Sequence, residues 1–158
     1  MSAAAAPRGA SPARPDRGRG RGRGAPRRAA HAIERVEKPW GWELWWARSD
    51  RYVGKVLHVR RGAALSYQFH RRKDETIYLL RGELAVELAP GGRRRRRWVM
   101  RQGEALRIRP GDHHRMTAIT TCDVLEASTP EVEDIVRLED RYGRADVPAR
   151  LRARMRRS

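Results

Sequence analysis

The chain has 158 residues, a single cysteine and a formal charge of +17, room for one domain with its own core and too few thiols for a disulfide or a Cys-rich metal site. No run approaches the roughly 20 apolar residues of a membrane-spanning helix, and Met1 to Ala6 leads into no apolar signal segment, so a cytoplasmic protein is expected. The charge is local: residues 1–30 carry +7, Arg93 to Arg97 carry +5 and the five Arg between 150 and 157 carry +5, leaving the rest neutral. Nucleic-acid binding, if any, is therefore assigned to the Arg-rich tails alone.

Residues 1–30 are Ala, Gly, Pro and Arg with an RGRGRGRG tract at 17–24, a composition that predicts a disordered tail. A folded domain is expected over 31–148, followed by a basic tail at 149–158. Trp40, Trp42, Trp45 and Trp46 lie within seven residues and read as an apolar strand that covers the core or an interface. Short apolar runs then follow at Tyr52–Val59, Thr76–Leu80, Glu83–Leu88, Trp98–Met100, Ala105–Ile108, Met116–Ile119 and Val124–Ala127. Turn signals separate them, including Arg81-Gly82, Pro90-Gly91-Gly92 and Pro110-Gly111. Many short strands at this spacing predict an all-β sandwich or barrel. Arg81-Gly82 reads as a tight hairpin turn, Arg93 to Arg97 as an exposed loop, and Glu131 to Leu138 as a weak helix or strand. Cys122 reads as a small strand residue.

Two polar frames interrupt these runs. Gly62, Gln68, His70, Glu75 and Gly82 fall in the pattern G-x5-Q-x-H-x4-E-x6-G. Residues two apart on a strand share a face, so Gln68 and His70 can reach one ion, with Glu75 returning from the next strand. Gly103, Arg109, Gly111, His114 and Ala118 form G-x5-R-x-G-x2-H-x3-A, which supplies His114 as a fourth ligand. Two imidazoles, a carboxylate and an amide oxygen suit a divalent transition metal, with Zn first and Mn, Fe, Co or Ni as alternatives. The competing structural readings are a surface Glu75 paired with Lys73, an exposed His113 pointing away from His114, and a satisfied core His58.

These frames resemble the two motifs of the cupin superfamily, G-x5-H-x-H-x4-E-x6-G and G-x5-P-x-G-x2-H-x3-N, with every spacing kept and three departures at Gln68, Arg109 and Ala118. Leu65-Ser66-Tyr67-Gln68-Phe69-His70 is similar to the pattern in the cupin domain of mannose-6-phosphate isomerases, often fused behind a guanylyltransferase. Lys38-Pro39-Trp40-Gly41, Pro110 to Arg115, Asp134 to Arg137 and Asp140 to Arg144 resemble further parts of it. Thr76 and Ile77 replace the His-Trp that usually follows the Glu, and Lys73 stands where Arg is common. No Gly-rich nucleotide-binding segment precedes the core, so nucleotidyl transfer is not expected.

The resemblance implies a single cupin (jelly-roll) barrel of residues 31–148, one metal ion, homodimer formation and interconversion of an aldose and a ketose sugar phosphate. Lys55 and Arg137 are the expected catalytic residues, the first in proton transfer and the second holding phosphate or enediolate charge. Surface ion pairing is the alternative for both. A non-haem iron dioxygenase and a non-catalytic metal-stabilised sugar or effector module are the rival functions.

Overall fold

A computed structural model of the protein describes residues 32–146. The expectations for tails at 1–30 and 149–158 lie outside the described residues. Eleven strands follow in chain order: β1 (Glu34–Lys38), β2 (Gly41–Arg48), β3 (Val53–Val59), β4 (Tyr67–His70), β5 (Glu75–Arg81) and β6 (Glu83–Ala89). After a 3-10 turn at Pro90–Gly92 come β7 (Arg96–Arg101), β8 (Ala105–Ile108), β9 (His113–Ala118), β10 (Cys122–Ser128) and β11 (Ile135–Glu139). Among the described residues, that short turn is the only helical element.

The strands make two antiparallel sheets, one ordered β1-β2-β3-β10-β5-β8 and the other β11-β4-β9-β6-β7. Period-2 alternation decides what each sheet buries. On β5 the residues Glu75, Ile77 and Leu79 turn inward while Thr76, Tyr78 and Leu80 face out. On β9 His114, Met116 and Ala118 are inward. The apolar core between the sheets includes Leu57, Val59, Ile77, Leu79, Leu84, Val86, Met100, Ile108 and Val124, with Cys122 beside them.

The predicted hairpin at Arg81-Gly82 is a different feature. β5 and β6 belong to opposite sheets, so the chain crosses the sandwich at Gly82. Its φ is +97°, and a Cβ there would lie 2.6 Å from the Thr121 carbonyl oxygen and 2.8 Å from Cys122 Sγ, which makes glycine a steric requirement. The Arg run is likewise only partly a loop. Arg96 and Arg97 open β7, and Arg95 turns back over the Tyr67 ring at 3.7 Å. The ambiguous closing segment is a strand, β11, paired with β4 so that Arg137 stands opposite Gln68.

Candidate metal centre

β4 and β9 pair through Gln68 and His114, which places these two side chains next to each other on one inner wall. His70 is two residues farther along β4. The turn after it carries the chain to the other sheet, so Glu75 faces the histidines from across the sandwich rather than from an adjacent strand. Ligand atoms of His70, Glu75 and His114 lie within 4.8 Å of one another, all three buried.

The backbone sets the imidazoles. His70 Nδ1 lies 2.7 Å from the Asp134 carbonyl oxygen and His114 Nδ1 lies 3.0 Å from that of Asp112. A carbonyl can only accept, so each Nδ1 carries a proton, which leaves Nε2 as the ring atom free to offer a lone pair inward to a cation. Glu75 Oε1 stands 3.6 Å from His70 Nε2 and 3.3 Å from His114 Nε2. Three electron-rich atoms thus converge, an arrangement that calls for a cation between them. His70 Nε2 is buried without a hydrogen-bond partner, as a ligand atom would be. The donor set and the orphaned nitrogen both fit a divalent metal.

Further contacts hold the frame. Gly111 N–H donates to the His70 carbonyl at 2.7 Å, tying the turn before His114 to the strand of His70. Asp134 also accepts the backbone N–H groups of Arg72 and Lys73 at 2.5 and 3.1 Å through Oδ2, clamping the turn that leads to Glu75. Gln68 takes a 2.5 Å hydrogen bond from Ser66 Oγ on its Oε1 and brings Nε2 to 3.4 Å from His114 Nε2. A half-turn of the amide exchanges these two atoms and points the oxygen at the centre.

Behind the carboxylate lies a buried charge ladder. Lys73 Nζ bridges Glu75 Oε2 at 2.5 Å and Glu126 Oε1 at 2.6 Å. Lys55 Nζ is 3.7 Å from Glu126 and 3.8 Å from Glu43, and stands 4.1 Å from the centroid of the Trp45 ring. Burial by itself would lower the Lys73 ammonium, but Glu126 and then Glu75 outweigh it and raise it well above its usual value. Burial would raise the Glu75 carboxyl. The two imidazoles that face it, His114 and His70, and the charge of Lys73 outweigh that and hold it well below the usual range.

A cavity of about 180 Å³ opens onto these groups, lined by Gln68, His70, Glu75, Lys73, Lys55, Glu126, Trp45, Glu133, Arg137 and Arg144 among others. Arg137 Nε is buried without a partner, and Nη1 is a distant 3.8 Å from Asp146. Arg144 is already paired to Asp140 at 2.8 Å. Both residues expected to be catalytic, Lys55 and Arg137, therefore line the cavity that contains the three clustered donors.

Several expectations need correction. Glu75 does pair with Lys73, yet both are buried, so the surface-pair reading fails. His58 is not a core residue: it lies on the outer face, stacked on Trp42 at 4.8 Å with Nδ1 2.6 Å from Asp123. His113 does point away from the centre but stacks on Phe69 at 4.8 Å instead of standing free in solvent. The tryptophans split four ways: Trp40 is core, Trp42 outer face, Trp45 cavity wall, and Trp46 is 46% exposed above Gly54. Sequence reasoning missed Glu126. The signal was its inward parity with Val124 on β10, where an unpaired carboxylate would be costly.

No protein-family model and no curated protein matches the sequence. Solved structures do. KdgF from Halomonas sp. aligns over 66% of this chain and 92% of its own at 24% identity, with a TM-score of 0.53. The fold is the cupin barrel. CapF, a capsular polysaccharide assembling protein from Staphylococcus aureus, aligns over 70% of this chain at 15% identity with a TM-score of 0.58. A point mutant of Bacillus subtilis oxalate decarboxylase aligns over 67% at 14% identity with a TM-score of 0.60. The chain spans about a third of the length of these last two, 33% and 30%. Among the described residues, no helix is long and apolar enough to cross a membrane.

Proposed function

We propose that this cupin is a metal-dependent isomerase of a small sugar phosphate, interconverting aldose and ketose as a mannose-6-phosphate isomerase does. The observation that carries the reading is the meeting of the two-histidine, one-carboxylate cluster with an under-bonded guanidinium, Arg137, in one small cavity. His70, Glu75 and His114 would hold the ion, with Gln68 as fourth ligand through Oε1 after the amide turns; Zn is the first choice and Mn, Fe, Co or Ni the alternatives. The bound metal would polarise the carbonyl oxygen of the open-chain sugar.

The protein's own residues would hold the substrate and move the proton between its two oxygens. Arg137 offers a planar fork of donors to the phosphate and fixes the substrate's orientation. Isomerisation moves one proton from C2 to C1 and one from O2 to O1, with no net gain or loss. Lys55, held between Glu43 and Glu126, would donate to the developing enediolate oxygen and recover the proton from the neighbouring hydroxyl. Trp45 and Trp40 keep bulk water from that wall of the cavity.

The domain unit of this reading is residues 31–148, acting as a homodimer. The outer face of the six-stranded sheet supports pairing: Leu44, Val56, Leu125 and Tyr78 stand in one row across four strands, with Trp46 and Leu80 exposed at its sides. Sedimentation at micromolar concentration should give twice the chain mass.

The assay is mannose 6-phosphate to fructose 6-phosphate conversion with each metal restored in turn. Turnover lost in His70→Ala and reduced about a hundredfold in Arg137→Ala agrees with the reading. Absence of turnover with every metal refutes it. The donor set also favours a second reading, an iron-dependent dioxygenase, since two histidines and one carboxylate leave positions for dioxygen. Oxygen uptake confined to the Fe(II) form would select it, and sugar binding without turnover would select a non-catalytic module.

A further inference from the structure

We infer that Lys73 is a positioning residue that makes Glu75 a one-oxygen ligand, and that Glu126 is the anchor through which it does so. This deepens the metal reading above and rests on it.

Glu75 and Glu126 point into the barrel from adjacent strands. Glu75 stands opposite Ser128 and Glu126 opposite Ile77, so the two carboxylates are diagonal neighbours on one inner face. Both are buried, at 4% and 6% exposure. Two like charges so placed need a cation between them. Lys73, itself 4% exposed, fills that place with 2.5 and 2.6 Å contacts.

The contacts are selective by atom. Lys73 occupies Oε2 of Glu75, while Oε1 alone faces the two imidazole nitrogens. A carboxylate chelates an ion only when both oxygens are available to it. With Oε2 committed to an ammonium group, Glu75 presents one oxygen and a partly neutralised charge. The metal would keep more positive character and one more open position than a chelating Glu75 would allow, which favours anionic ligands with two oxygens. The ladder continues to Lys55, so the same Glu126 that anchors Lys73 also faces the proposed proton donor.

The test is Co(II) titration of the full-length metal-free protein, read by visible absorption and by affinity. Lys73→Met with Glu126→Leu removes the pair together, so that Glu126 is not left as a buried unpaired charge. Lys73→Gln keeps a buried donor without its charge, should the double variant not fold. Lys73→Arg is the conservative replacement. Co(II) affinity should rise about tenfold in the double variant, where Glu75 regains its full charge and second oxygen, and by about threefold or more in Lys73→Gln. The visible bands should weaken as the freed Oε2 joins the metal and coordination number rises. Lys73→Arg should restore wild-type affinity within about threefold and the wild-type spectrum. A folded double variant or Lys73→Gln variant with affinity within twofold and an unchanged spectrum overturns the inference, leaving Lys73 a structural ion pair. A wild-type protein that takes up no Co(II) overturns the metal reading itself, a distinct result.

Discussion

The two ends of the barrel interior use the same strands for opposite purposes. Along β3 the inward residues run from Lys55 to Leu57 and Val59; along β5 from Glu75 to Ile77 and Leu79; along β9 from His114 to Met116 and Ala118. One end is a dry core. The other buries Lys55, Lys73, Glu75, Glu126, Gln68, His70 and His114 within the same sandwich. Apolar burial stabilises by removing surface from water, while each buried charge costs free energy unless it is paired. The polar end pairs nearly everything and leaves His70 Nε2 and Arg137 Nε without partners. The contrast separates what holds the sheets together from what the cavity is built to bind.

That division can be broken or sharpened by experiment. Leu79 is fully buried at the apolar end, and Leu79→Ala should cost about 2–5 kcal/mol in urea unfolding while metal stoichiometry stays the same. Equal loss of metal would show that the ends are not separable. At the polar end, metal at about a thousand times its Kd should raise stability by about 4 kcal/mol. Thermal melts with and without chelator measure this, and His70→Ala should abolish the difference. Asp134→Ala removes the acceptor of two turn N–H groups without touching a ligand; a loss of about 1–2 kcal/mol and roughly tenfold in metal affinity is expected. The smallest effect belongs outside the barrel. Arg81 pairs with Asp123 at 2.8 Å but is 63% exposed, so Arg81→Ala should change stability by less than about 0.5 kcal/mol and leave metal affinity alone.

Much of this was legible because strand parity is a local property. The positions of Gln68 and His70 two apart, and the Gly-bounded frames around Glu75 and His114, follow from period-2 geometry and turn glycines. The all-β class followed from the same alternation. Long-range facts were not legible. Whether Gly82 closes a hairpin or carries the chain to the other sheet depends on which strands pair, and a two-residue turn signal reads the same for both. β1, with the sequence Glu-Arg-Val-Glu-Lys, has only one apolar residue and owes its strand to pairing with β2. Lys73 resembled a surface residue because the carboxylate that buries it, Glu126, is 53 positions away. His58 shares a strand with core residues, yet its parity faces outward, where Trp42 and Asp123 take it up.

The central claim is that His70, Glu75 and His114 close on one ion at the polar end of the barrel. Elemental analysis after metal loading and desalting, run beside a His70→Ala/His114→Ala variant whose fold is verified by circular dichroism, tests it directly. One equivalent of divalent metal per chain in the wild type and none in the variant is the predicted result. A full equivalent retained by the variant, or none held by the wild type, would contradict it.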